Sequence, residues 1–173
     1  VEADPFRYLP AFVLCFLFFF RMRCFDEIKD YEVDLKINPS RPLARGILSV
    51  ADVRKMIAVS TLIELVLAFL AGGGAALGVY AIAMAYSFLM YKEFFIGDFL
   101  RPHLTSYAVS HTFVSMLLGW SIASLVSGLA YLPILEKMLC VGFINWALFN
   151  VFEFARKTYA ASEERPGVDT YSS

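Results

Sequence analysis

Cysteine is scarce in this sequence and scattered. Cys15, Cys24 and Cys140 are its three thiols, and their separations match neither a disulfide framework nor the paired spacing of a metal site. A catalytic cysteine has no support, and packing is the reading that remains. Histidine is scarcer still, with only His103 and His111. An excess of one charge is missing too: fifteen Lys and Arg against sixteen Asp and Glu leave a formal net charge of −1. That excludes a global basic footprint for nucleic acid. No basic leader precedes the first apolar run, which begins near Tyr8 after the acidic Glu2 and Asp4. A cleavable signal would carry bases there, so the run reads as a retained span. No internal repeat is evident.

What the chain does have is apolar surface. Hydrophobic residues make up 59% of it and aromatics 16%, with a mean hydropathy of +0.63. A soluble domain of this length rarely carries so much. The expectation is an all-α, polytopic membrane helix bundle, one membrane domain over 1–173. Five spans of the length a bilayer requires are predicted, at about 8–25, 54–71, 75–91, 104–128 and 135–154. Gly72-Gly73-Gly74 separates the second from the third, Arg101-Pro102 precedes the fourth and Pro133 the fifth. Glu64 falls inside the second span, where an acid is costly and needs a partner. It reads as a structural residue, as does His111 in the fourth span, while His103 reads as solvated.

The charges cluster. Residues 21–55 hold eight Lys or Arg, residues 92–103 hold two and the segment after 154 holds three, against only Arg7 and Lys137 elsewhere. This bias places the three charged segments in the cytoplasm. The same segments also hold most of the acids, which topology alone does not require. A polar site at the mouth of the bundle explains both signs.

The acids have a pattern. Asp26, Asp30 and Asp34 recur every four residues, with Glu27 beside the first, and on a helix that spacing stacks them on one face. At about 4 Å, each carboxylate pair costs on the order of 4 kcal/mol at an effective dielectric near 20. Bound positive charge is therefore expected, and magnesium carried by phosphate is the natural candidate. Asn38-Pro39-Ser40-Arg41-Pro42 follows, with Arg45 and Gly46 beyond it. The prolines break regular structure, and the two arginines suit phosphate oxygens. Ser49 with Asp52 three residues later reads as the N-cap of the next span.

Together, Asp26-Glu27-x-x-Asp30-x-x-x-Asp34 and Asn38-Pro39-Ser40-Arg41-Pro42 resemble the first signature of the UbiA superfamily of intramembrane prenyltransferases, over about 25 residues. The family's pattern begins Asn-Asp where this chain has Asp26-Glu27. The resemblance implies a nine-helix fold, of which this chain would supply five helices, with the remainder of the protein required for activity. It implies Mg²⁺ held by two acidic motifs. The first is Asp26, Glu27, Asp30 and Asp34 within the loop 26–52. The second falls in the polar segment 155–173, where Glu163, Glu164 and Asp169 are the candidates and Lys157 stands where an acid is usual. It also implies a diphosphate-binding lysine, matched by Lys92, although Phe88 replaces the tyrosine that normally precedes it. Glu93 replaces a common basic residue.

The implied activity is Mg²⁺-dependent transfer of a polyprenyl group from a polyprenyl diphosphate to an acceptor within the lipid bilayer. The acceptor is open: an aromatic ring, a porphyrin-type group, a glycerol phosphate or a sugar phosphate. Asp30, Asp34 and Lys92 are the expected catalytic residues, and Asn38, Arg41, Arg45 and Lys92 the diphosphate ligands. A non-catalytic membrane scaffold or transporter fragment is the alternative, favoured by the altered second motif. A CDP-alcohol transferase ranks low because its Asp-Gly and Ala-Arg pairs are not found around Asp26.

Overall fold

The computed structural model describes residues 5–128, 135–160, 162–163 and 170–171, and these are helical or looped, with no strand among them. Helix α1 (Tyr8–Lys29) continues through Asp30 into the short α2 (Tyr31–Ile37). A turn-rich loop leads to α3 (Val50–Tyr91), then α4 (Gly97–Leu100), α5 (Leu104–Thr112), α6 (Val114–Ser127) and α7 (Leu135–Arg156). Pro133 lies outside the described residues. Among the described residues, three helical stretches are long and apolar enough to cross a membrane: Pro5–Lys29, Val50–Tyr91 and Leu104–Ser127; α7, at the place of the expected fifth span, is not one of them. This is consistent with an integral membrane protein.

The α3 stretch is not one rod. Gly73 has φ 69° and ψ −163°, a conformation essentially reserved for glycine. The helix reverses there. Tyr80 Oη donates to Glu64 Oε2 at 2.8 Å, whereas sixteen residues of straight helix would hold them about 24 Å apart. The expected boundary at the glycine triplet is thus a hairpin between two helical arms of α3. The start of α3 is fixed as its sequence suggests. Ser49 Oγ accepts from the Asp52 amide, and the Asp52 carboxylate accepts from the Ser49 amide, each at 3.1 Å. The expected fourth span is a pair, α5 and α6, meeting at Phe113, which keeps helical backbone angles.

Apolar side chains cover the outside of the bundle as well as its core. Phe12, Phe16, Leu62, Val66, Phe69 and Leu70 are exposed, as expected where lipid replaces water. The core combines large apolar side chains such as Leu14, Phe18, Met84, Leu118 and Leu125 with small and polar ones: Ala68, Ala76, Ala83, Ser60, Ser87, Ser115, Ser121 and Ser124. Small side chains let helices approach closely, and polar ones bond across the gap. Trp146 Nε1 on α7 donates to Thr112 Oγ1 at 3.1 Å, and Asn145 Nδ2 donates to Ser115 O at 2.8 Å.

At the centre lies a buried ion pair. Arg21 and Glu64 are both 0% exposed. Arg21 Nε and Nη2 donate to the two Glu64 oxygens at 3.0 and 3.1 Å, and Nη1 donates to Ser87 Oγ at 2.6 Å. Phe18, Phe25 and Phe88 surround the guanidinium, with ring centroids 4.8, 5.4 and 5.1 Å from its carbon. This corrects the charge tally made from sequence. Arg21 is no loop base marking a membrane side; it is the counter-ion of Glu64 and ties α1 to both arms of α3.

Candidate functional site

The charged segments meet at one end of the bundle. The ends of α1 and α7, the turn after α3 and the start of α5 enclose a cavity of about 800 Å³. Seven bases line it (Arg23, Lys29, Arg41, Lys92, Arg101, Arg156 and Lys157) against three acids, Asp26, Asp30 and Glu93. A second cavity of about 250 Å³ shares Asp26, Lys29, Tyr91, Tyr107, Arg156 and Lys157 with the first, is also lined by Glu153 and His111, and continues between apolar walls that include Phe19, Met22, Met90, Val114 and Phe149. A polar vestibule thus opens onto a mostly apolar chamber.

The acidic motif keeps its register. The Asp30 amide bonds Asp26 O at 2.9 Å and the Asp34 amide bonds Asp30 O at 2.7 Å, so the four-residue repeat survives the junction between α1 and α2. The side chains take separate roles. Asp26 and Asp30 are exposed and face the vestibule. Asp34 is buried, its Oδ2 lies 2.9 Å from Arg41 Nη1, and its Oδ1 accepts from Asn38 Nδ2 at 3.0 Å. The Arg41–Asp34 contact is a charge contact rather than an aligned hydrogen bond. Arg41 Nη1 also sits 3.8 Å from Glu27 and 3.9 Å from Asp30. Glu27 is further held by Arg23. Arg41 therefore supplies much of the positive charge that the acid stack demands. Asp30 still carries an electrostatic load. Its carboxyl is pushed above the ordinary aspartate range by desolvation and by Asp34, with Arg41 opposing.

Of the other expected ligands, Lys92 is exposed on the vestibule wall with its ammonium 5.3 Å from the Tyr91 ring. Arg45 and Asn38 do not line the vestibule, and neither do Glu27, Asp34 or Glu163. Glu163 stands in an exposed turn. Glu164 and Asp169 lie outside the described residues. Among the described residues no three His, Cys, Asp or Glu converge closely enough to form a metal cage. Asp26 and Asp30 remain as vestibule carboxylates. Two carboxylates completed by phosphate oxygens and water are the usual setting for magnesium, so this donor set fits a phosphate-borne Mg²⁺ and not a preformed cage.

Sequence reasoning overlooked Lys29, Arg101 and Tyr107, and treated Glu93 only as a departure from a pattern. Glu93 is the centre of the wall. Lys29 Nζ stands 3.2 Å from its Oε1, and Arg101 Nε donates to its Oε2 at 2.9 Å. Lys29 also donates to Tyr107 Oη at 2.9 Å. Burial disfavours the Glu93 charge, but the hydrogen bonds from Arg101 and Lys29 together outweigh it and hold the carboxyl below the ordinary glutamate range. The same contact raises Arg101 above the usual arginine value. The backbone here is strained. Glu93, Phe94 and Phe95 have φ of 50°, 54° and 59°, and left-handed conformations cost about 1–2 kcal/mol per non-glycine residue. Phe94 is braced by the rings of Tyr86 and His111, with centroids 5.3 and 5.7 Å away.

His111, expected to pack, is hydrogen-bonded and stacked, and it also lines the smaller cavity. Its Nδ1 bonds Tyr107 O at 2.8 Å, and its ring stacks on Tyr107 at 3.9 Å.

Fold and site define an all-helical, membrane-type bundle with a polar, cation-rich vestibule at one end. No family model matches the sequence, and no curated protein or solved structure matches it.

Proposed function

We propose that the chain forms the headgroup end of an intramembrane prenyl-transfer site. It binds a polyprenyl diphosphate and passes the prenyl group to an acceptor in a Mg²⁺-dependent reaction. One observation carries this reading: a vestibule lined by seven bases, with Asp26 and Asp30 exposed in it, continues directly into an apolar-walled chamber. The first suits a diphosphate and the second an isoprenoid tail. The resemblance of residues 26–42 to the UbiA signature points the same way. On this reading five spans cross the bilayer, the vestibule faces the cytoplasm, and further polypeptide completes the nine-helix unit.

Arg41 and Lys92 meet the headgroup from the vestibule wall, and Lys29 and Arg101, which Glu93 holds in place, stand beside them as further donors. Asp26 and Asp30 are the residues that would hold magnesium, which offsets charge on a departing diphosphate. As the allylic carbon–oxygen bond breaks, the bases stabilise the leaving group. The chamber keeps water from the cationic carbon until the acceptor attacks. The test is transfer from a radiolabelled polyprenyl diphosphate by the complete protein, with the polypeptide that finishes the unit, in detergent and across a panel of acceptors. Asp30→Ala is expected to abolish Mg²⁺-dependent transfer. Unchanged activity in that variant overturns the metal role.

A second reading is supported by Arg41 standing among the acids and by the lack of a metal cage among the described residues. On it, the vestibule binds an anionic headgroup without turning it over, as a non-catalytic membrane component. Diphosphate release separates the two: the enzyme liberates it and the binding protein does not.

A further inference from the structure

We propose that Glu93 is an internal placeholder for the ligand's anionic headgroup. It neutralises Lys29 and Arg101 when the vestibule is empty and yields both to an incoming diphosphate. This rests on the diphosphate reading above and adds a device to it.

Four observations converge. Glu93 bridges two bases that line the vestibule, Lys29 at 3.2 Å and Arg101 at 2.9 Å. Its side chain is only 9% exposed while the Arg101 side chain is 69% exposed, so the acid is held inside and one of its partners is reachable from the vestibule. Glu93 opens a run of three consecutive non-glycine residues in the left-handed region. Such strain persists only when surrounding contacts over-determine it, and it gathers at switch regions. Finally, Gly97 has no side chain where the Glu93 carboxylate stands; an ideal Cβ there would collide with Oε2. The fold has left room for this carboxylate and bent the chain to deliver it.

The chemistry follows from charge. Diphosphate oxygens and a carboxylate compete for the same donors, and paired arginine and lysine bind phosphate oxygens through charge-assisted hydrogen bonds. Of the seven bases on the vestibule wall, Arg23 and Arg41 pair with Glu27 and Asp34, and Arg156 and Lys157 pair with Glu153, so Lys29 and Arg101 are the two that withdrawal of Glu93 would free. Withdrawing Glu93 with no anion to replace it leaves two cations unpaired, so a neutral ligand gains nothing by entering. Only a ligand carrying enough negative charge to replace the carboxylate can relax the turn, which selects diphosphate over uncharged isoprenoid alcohols.

The experiment is inorganic pyrophosphate binding to the full chain in detergent by calorimetry, with and without magnesium. Glu93→Gln removes the competing charge and keeps the shape. It is expected to tighten pyrophosphate binding at least about tenfold, the value of one charge-assisted contact. Gly97→Ala, which displaces the carboxylate without touching its charge, shifts affinity in the same direction. Hydrogen exchange on the unaltered protein gives a readout independent of any variant's folding. The Phe95 and Ile96 amides, bonded to Lys92 O and Glu93 O at 2.9 and 3.0 Å, are expected to exchange faster with pyrophosphate bound. If wild type binds pyrophosphate but Glu93→Gln binds it equally or more weakly, or if those amides slow or stay unchanged, Glu93 is a fixed anchor and the proposal is overturned while the vestibule stands. If neither protein binds pyrophosphate, the diphosphate reading itself falls, and this inference with it.

Discussion

Replacing Glu64 by alanine tests the packing logic of the whole bundle. The substitution leaves the Arg21 guanidinium fully buried, with the Ser87 hydroxyl and three aromatic faces for company. Two magnitudes compete. Polar contacts between membrane helices average only about 0.6 kcal/mol, because a chain unfolded within the bilayer finds other partners. Removing one member of a buried ion pair costs about 3–5 kcal/mol, because the survivor is left charged in a medium of low dielectric. The second governs here, since lipid offers an arginine no replacement carboxylate. The aromatic faces contact Arg21 in both proteins and so leave the difference largely unchanged, which puts the loss at the lower end of that range. A destabilisation of about 3 kcal/mol is expected, measured by loss of helicity as SDS is titrated into mixed micelles. The double variant Arg21→Met with Glu64→Leu removes both charges and is expected to return to within about 1 kcal/mol of wild type. A double-mutant cycle then gives a large coupling energy. A loss below about 1 kcal/mol for Glu64→Ala, or a double variant no better than the single, would refute the view that this pair locks the helices together.

Other consequences are quicker to check. Gly73→Ala forces a side chain into a glycine-only conformation and is expected to cost about 1–3 kcal/mol, while Gly74→Ala, with open space around its Cβ, is neutral in the same SDS titration. Tyr80→Phe deletes the hydroxyl that donates to Glu64 and is expected to cost about 1.5–3 kcal/mol. The pH dependence of thermal unfolding has two opposed parts. Glu93, with its folded-state pKa depressed, contributes stability that is present above the unfolded value of about 4.3 and disappears as pH falls through the lower folded value. The stability gap between wild type and Glu93→Gln therefore closes in acid. Asp30, with its pKa raised, contributes only at low pH and loses that contribution as pH rises through the folded value. Asp30→Asn is accordingly expected to raise the melting temperature of the unliganded protein at neutral pH. Arg41→Ala is expected to weaken pyrophosphate binding, whereas Arg45→Ala, whose position does not line the vestibule, leaves it unchanged.

Local signals in the sequence were legible where the physics is local. The Ser49–Asp52 box needs only a four-residue window, and it forms as expected. The glycine triplet marks a break because no other residue adopts the Gly73 angles. The four-residue repeat of Asp26, Asp30 and Asp34 predicts a shared helical course, and the backbone follows it. What failed was inference across distance. Arg21 stands at the edge of an apolar run and reads as the first loop base, yet α1 runs two turns further and its partner is 43 residues away. Lys29, Glu93, Arg101 and Tyr107 share no spacing that would announce them. They meet only because the ends of α1 and α3 and the start of α5 arrive at one place. The acid stack was expected to recruit its positive charge from outside, and Arg41 in the following loop supplies much of it from within.

The Arg21–Glu64 pair sums to zero charge. A voltage across the membrane exerts no net pull on it, since that work scales with the charge moved. Ions in solution do not reach a site with no exposed surface, whereas they screen the vestibule within a Debye length of about 8 Å at physiological ionic strength. Added salt thus loosens the two ends of this molecule unequally: the outer polar contacts soften while the central clasp keeps its grip, so a salt titration separates headgroup recognition from helix cohesion in a single sample.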